Sequence, residues 1–217
     1  MTTAKTLPTL AMTLALFGLA CSGSADDAGS QASADQAETP AAAASQEAPT
    51  CYVADGTMAE AAERPSPLSS TTITLGGEEA LLCYGSPSAK GREIMGGLVP
   101  YGELWRGGAN EATALHLPFT AQVGGITLEP GDYSIYFLPG ADEWEVFINS
   151  NAERWGIPID DAVRADDAGS FKVTPEATED MVESLTYSWE PTDDHSGHIV
   201  MEWEHTRLKI PVEHPAM

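Results

Sequence analysis

The feature that most restricts how this chain can fold is the period of its apolar residues. From Thr71 to Val212 they alternate with polar ones, and the runs are broken at hairpin spacing by turn-forming residues. Gly76-Gly77, Gly124-Gly125, Glu129-Pro-Gly-Asp132, Pro139-Gly-Ala-Asp142 and Asp193-Asp-His-Ser-Gly197 mark the turns. Between them lie about ten short strands: 71–75, 80–84, 113–117, 121–128, 133–138, 144–149, 169–174, 183–190, 198–204 and 206–212. No long helices alternate with these strands, so the expected fold is all-β, an antiparallel sandwich or flattened barrel. One short N-terminal helix is expected over 57–64, where Thr57 and Glu60 have capping-box spacing and Pro65 stops the run. The segment 160–167 fits either a short helix or a loop.

In Tyr133-Ser-Ile-Tyr-Phe-Leu138, alternation puts Tyr133, Ile135 and Phe137 on one face. In Trp144-Glu-Val-Phe-Ile-Asn149 it groups Trp144, Val146 and Ile148. Paired across the turn at 139–142, these faces form one inner surface of aromatic and β-branched residues. Trp189 and Trp203 are expected in the core as well.

The N-terminal quarter has a different character. Residues 1–20 contain Lys5, no acidic residue, and an apolar run from Leu10 to Ala20 that is too short for a permanent membrane span. This reads as a signal peptide. Cys21, placed directly after Gly18-Leu-Ala20, resembles the lipobox of bacterial lipoproteins, although leucine rather than Gly18 is usual three positions before the cysteine. Lipidation there would anchor the chain through several acyl groups; the alternative is an ordinary secretory leader. Residues 22–50 contain no Val, Ile, Leu, Met or aromatic residue and only acidic charges, the composition of an extended tether. The expected organisation is therefore leader 1–20, lipidated Cys21 with a tether to 50, and a globular domain 51–217. The chain is then exported to the cell envelope as an outer-membrane lipoprotein facing the periplasm, with the membrane as a partner through its N-terminal lipid.

Charge narrows the range of partners. The formal net charge is −23. Removing the leader with its single Lys5 makes it −24, and removing the tether's Asp26, Asp27, Asp35, Glu38 and Glu47 leaves −19 on residues 51–217. Such a field repels nucleic acids and anionic lipid surfaces. With Cys21 assigned to lipid, Cys51 and Cys83 remain, and in an oxidising compartment their simplest fate is a disulfide, stabilising by about 3 kcal/mol. A cysteine metal site lacks both a CxxC spacing and a third ligand.

One connection is exceptional. The segment 86–113 joins two expected strands through more than twenty residues that are rich in glycine and hold Lys90, Arg92 and Arg106. Loops of this length in compact domains are functional or disordered, and Ile94, Leu98, Val99, Tyr101, Leu104 and Trp105 argue for order. Here lie Ser86-Pro-Ser-Ala-Lys-Gly-Arg92 and Gly97-Leu-Val-Pro-Tyr-Gly-Glu-Leu-Trp-Arg-Gly-Gly-Ala-Asn-Glu-Ala-Thr113. Together with Gly131-Asp-Tyr-Ser-Ile-Tyr136, Pro139-Gly140, 144–149 and Trp155-Gly156, they resemble the DUF2911 family of secreted and lipoprotein domains over about 71–212. The resemblance implies export and carries no defined activity.

The candidate binding residues are Lys90, Arg92, Tyr101, Trp105, Arg106, Asn110 and Glu111. Arg106 either pairs with Glu111 as an internal clamp or presents its planar fork to a ligand carboxylate, with Trp105 or Tyr101 as a flat apolar face. The leading expectation is a non-enzymatic binding or scaffolding module for an envelope protein or a small anionic or carbohydrate ligand, with no cofactor. The alternative is an envelope hydrolase or carbohydrate-active enzyme using Glu111, Arg106 and Asn110, with Glu103 as a possible second carboxylate. A plain acidic spacer is a third reading. His116, His195, His198 and His205 with Asp193 or Asp194 show no zinc spacing. The chain has no G-x-S-x-G elbow, P-loop, dinucleotide fingerprint or EF-hand.

Overall fold

The computed structural model describes residues 49–214. The leader, Cys21 and all but the last two residues of the tether lie outside this range. Ten antiparallel strands form two sheets that pack as a sandwich, and the architecture is not a closed barrel. In chain order the elements are α1 (Met58–Ala62), β1 (Leu68–Leu75), β2 (Glu78–Gly85), β3 (Thr113–Leu117), β4 (Ala121–Val123), β5 (Ile126–Leu128), β6 (Gly131–Leu138), β7 (Trp144–Asn149), α2 (Asp161–Arg164), β8 (Asp167–Val173), β9 (Glu176–Pro191) and β10 (Ser196–Glu213). The larger sheet runs β1-β2-β3-β6-β7-β8 and the smaller β5-β4-β10-β9.

Most expected strands stand where the alternation puts them, with three differences, the first being that the strand expected over 183–190 begins at Glu176 and runs to Pro191. The run 121–128 is two strands, because Gly124 and Gly125 adopt φ +58° and +81° and form a two-residue hairpin turn. Conversely, 198–204 and 206–212 are one strand, β10, whose register against β9 shifts around Glu204 instead of ending there. A bulge therefore stands where the two expected strands divide. The helix α1 carries the expected capping box, with the Thr57 side chain accepting from the Glu60 N–H and the Glu60 side chain accepting from the Thr57 N–H. Asp160 caps α2, so the undecided segment is a one-turn helix.

The hairpin β6–β7 has the register that places Ile135 opposite Ile148 and Phe137 opposite Val146. These residues and Trp144 are fully buried, while Tyr133 at the strand's start is half-buried. The opposite face of the same hairpin is also covered: Tyr136 and Phe147 stack at 4.8 Å, with the Arg164 guanidinium above Phe147. There the Tyr136 hydroxyl donates to Asp167, and desolvation together with that carboxylate raises the phenol well above its usual range. Trp203 is in the core, whereas Trp189 is only half-buried at its margin.

The long connection between β2 and β3 is ordered and bridges the two sheets. Its first part runs along β9: Ala89 N–H donates to Glu183 O, Leu185 N–H to Pro87 O, and Ser88 opposes Ser184. A compact turn follows in which Ile94 and Val99 are buried, and the Glu204 carboxylate at the β10 bulge accepts from the N–H groups of Ile94 and Met95, each at 3.1 Å. The chain then reaches β6, where Trp105 and Phe137 exchange backbone hydrogen bonds of 2.8 Å in both directions. Leu98 and Tyr101, expected as anchors, are exposed.

Residues 49–66 form a strap joined to β2 by the Cys51–Cys83 disulfide, the pairing expected from the sequence. The bridge spans 32 residues. Replacing both cysteines by serine is expected to lower unfolding free energy by about 3–4 kcal/mol in the loop-entropy model, read from chemical denaturation with the far-ultraviolet circular dichroism unchanged. A loss under about 1 kcal/mol would show that other contacts hold the strap.

Candidate functional site

The bridging connection carries the candidate residues, but the structure divides them between two environments. Glu111 is buried, and its partner is Arg64 of the strap, not Arg106. Arg64 Nη1 lies 2.9 Å from both carboxylate oxygens, and the Ala54 N–H donates to Oε1 at 3.1 Å. The Arg106–Glu111 clamp is thus corrected: the strap supplies the arginine, Arg64, that pairs with Glu111. Arg64 lies 47 residues from Glu111 in the chain, and only the folded strap brings the two together. Asn110 is structural as well: its backbone is left-handed at φ +65° and its side chain donates to Ser66 O at 2.9 Å, again tying the strap down.

Arg106 is different. Its Nε is buried without a partner, and no carboxylate among the described residues forms an ion pair with it. Burial holds it below the ordinary arginine value, because desolvation penalises the charged form. The stem is fixed by the turn at 154–156. There Ala112 N–H donates to Arg154 O and Gly156 N–H to Asn110 O, so Gly156 lies directly against the arginine. A Cβ at Gly156 would stand 2.3 Å from Arg106 Cδ and 2.9 Å from Asn110 O, which explains glycine after Trp155. Arg154 in turn holds this turn by donating to the carbonyls of Asn151, Trp155 and Gly156.

Arg106 lines a cleft of about 330 Å³ together with Ser66, Pro87, Arg92, Leu98, Val99, Trp105, Gly108, Ala109 and Trp203. Arg92 is anchored on one side, its Nε donating to Ala89 O and Nη2 to Ser88 O. Trp105 is not a free platform: it stacks on Trp203 with centroids 6.1 Å apart at 22°, meets Trp144 edge-on, and contacts Phe137. It contributes only part of its surface to the cleft wall. Glu111, Asn110, Lys90 and Tyr101 do not line this cleft. Lys90 is exposed at φ +52°, its N–H bound to the Glu183 carboxylate, and Tyr101 covers Gly96 at the surface. Glu103 is exposed on the same loop and is likewise outside the cleft.

Two wider depressions lie elsewhere. One of about 700 Å³ is lined by Trp189, Asp193, Asp194 and His195, and one of about 540 Å³ by Asp132, Ser150, Glu153 and Asp166. Both present carboxylates and no Lys or Arg. Among the described residues no group of three or more His, Cys, Asp or Glu side chains is gathered for a metal ion; His116 bonds Asp132 at 2.6 Å instead.

The family model for a protein of unknown function, DUF2911, matches residues 66–212. The chain belongs to the DUF2911 family. No curated protein and no solved structure matches it. In this DUF2911 chain the match begins at Ser66, the strap residue that Asn110 holds and that forms one wall of the cleft, slightly before the Thr71 expected from the motifs.

The division of roles is testable by stability. Glu111→Gln leaves Arg64 and the Ala54 N–H poorly matched, and is expected to destabilise by about 1–3 kcal/mol, less than a fully buried pair because Arg64 is partly exposed. Arg106→Gln, which breaks no internal ion pair, is expected to leave the denaturation midpoint within a small margin of the parent. The opposite ranking would place Arg106, not Glu111, in the structural clamp.

Proposed function

We propose that this chain is an exported, lipid-anchored β-sandwich of the cell envelope that works as a binding module, taking a small anionic ligand in the cleft around Arg106. The observation that carries the reading is Arg106, whose Nε is buried without a partner and which has no carboxylate beside it among the described residues. Thirty-three acidic residues face ten basic ones in this sequence, and Arg64, Lys172, Arg207 and Lys209 each take a carboxylate within about hydrogen-bonding reach. A half-buried arginine left without one, in a cleft whose lining holds a second arginine and no acid, is poised for a partner from outside. Its desolvation has already been incurred in the free protein, so an incoming anion regains the pairing without that cost.

The disulfide supports an oxidising location. The leader and Cys21 support an anchor, with the outer membrane and its periplasmic side as the proposed place. The strong acidic field argues against nucleic acid. A hydrolase built on Glu111 draws no support from a carboxylate occupied by Arg64 and an N–H group and lying outside the cleft.

Two experiments test this. Acetate and phosphate titrated at constant ionic strength are expected to change tryptophan fluorescence and raise the melting temperature of the parent protein by mass action, and to do neither in Arg106→Gln. Equal responses in both proteins would dismiss Arg106 as the anion site. For the anchor, Cys21→Ser expressed in a Gram-negative host is expected to move the protein from the membrane to the soluble exported fraction, and intact mass of the parent's mature amino terminus is expected to show acyl chains. An unacylated terminus would reduce the leader to a secretory signal.

A further inference from the structure

Resting on the reading of Arg106 as an anion site, we infer that its ligand is a small monocarboxylic acid with a short apolar or aromatic body, the carboxylate on Arg106 and the body against Leu98 and the uncovered part of Trp105. Three properties of the cleft lead to this class. The first is the composition of its walls. Apart from Arg92, Arg106 and Ser66, the lining consists of Pro87, Leu98, Val99, Trp105, Trp203, Ala109 and Gly108. Most of these residues are already buried, and Leu98 with the uncovered part of Trp105 is the apolar surface left to the solvent. A bare inorganic oxyanion would leave that surface in water, whereas an acid with a hydrocarbon body covers it as well. Leu98, half exposed at 48%, stands where such a body would remove it from solvent.

The second property is the field of the surrounding domain. Residues 51–217 carry −19 by the count above, and the repulsion on an approaching ligand rises in proportion to its charge. A monoanion is opposed least and a phosphate or sulfate dianion about twice as much. Among monoanions, a carboxylate matches the planar guanidinium with two parallel hydrogen bonds. The third is size. About 330 Å³ is near the lower end of ligand sites, roughly 300–1,000 Å³, so the body is short.

The test uses the full mature chain with acetate, butyrate, hexanoate and phenylacetate, the corresponding amides, and phosphate, at fixed ionic strength. Calorimetry and tryptophan fluorescence report binding, since Trp105 and Trp203 both line the cleft. Affinity is expected to rise about fourfold per added methylene until the cleft is full, with the amides and phosphate at least about tenfold weaker than hexanoate. Leu98→Ala, at an exposed position that does not threaten the fold, is expected to weaken hexanoate several-fold and leave acetate unchanged, and Arg106→Gln is expected to remove the whole series. Phosphate binding as tightly as hexanoate, with no gain from chain length, would overturn this inference while leaving the anion site standing. Amides binding as well as acids would overturn it in favour of a merely apolar pocket. If no anion of the panel binds, both the inference and the reading beneath it fall.

Discussion

The structure depends on the wedging of Trp105 between the two sheets. The connection from β2 to β3 could be a tight hairpin, since those strands are neighbours. Instead it crosses to β9 and the β10 bulge and returns to β6, and the return is held where Trp105 meets Phe137, Trp144 and Trp203. Large aromatic rings packed edge-on and stacked stabilise beyond the area they bury, and here they fill the space between the sheets while the backbone of Trp105 extends the β6 ladder. Neighbouring side chains of an extended segment point to opposite sides. With Trp105 turned into the core, Arg106 is turned away from it, against Gly156 and towards the cleft.

A second constraint is the distribution of a few cations in a chain dominated by carboxylates. Most of the described ones are committed. Arg64 fastens the strap through Glu111, Arg154 organises the turn behind Arg106, and Arg207 binds Glu190 and Glu202 on the smaller sheet. Arg92 closes its own loop on backbone carbonyls. Arg106 alone combines a buried nitrogen without a partner with a place in the cleft lining. In the proposed reading, such a group would confine anion attraction to one short-range pocket, while the long-range field of the domain would oppose polyanions.

Much of the sandwich was legible in the order of residues. The period of two, the turn dipeptides and the capping box are local signals, and β3, β7 and the β6–β7 face appear where they place them. The strand divided at Gly124-Gly125 follows two glycines that are themselves a local turn signal, whereas the two strands fused through Glu204 depend on distant packing. Glu204 is retained in β10 while its carboxylate holds Ile94 and Met95 from the crossing loop. At the candidate site the loop itself was recognisable, yet the roles of its residues were not. Glu111 and Asn110 read as ligand-facing companions of Arg106, and their strap partners, Arg64 and Ser66, lie 47 and 44 residues away.

By itself, then, the sequence determined the class of fold, the pairing of Cys51 with Cys83 and the family, because alternation, turn chemistry and a long motif are properties of neighbouring residues or of a small number of like ones. The tertiary structure decided which arginine meets Glu111, which face of Trp105 is spent in the core, and that Arg106 is left facing a cleft without an acid. Those outcomes depend on segments far apart in the chain competing for the same partners, and the competition is settled only when the strap, the crossing loop and the 154–156 turn are packed together.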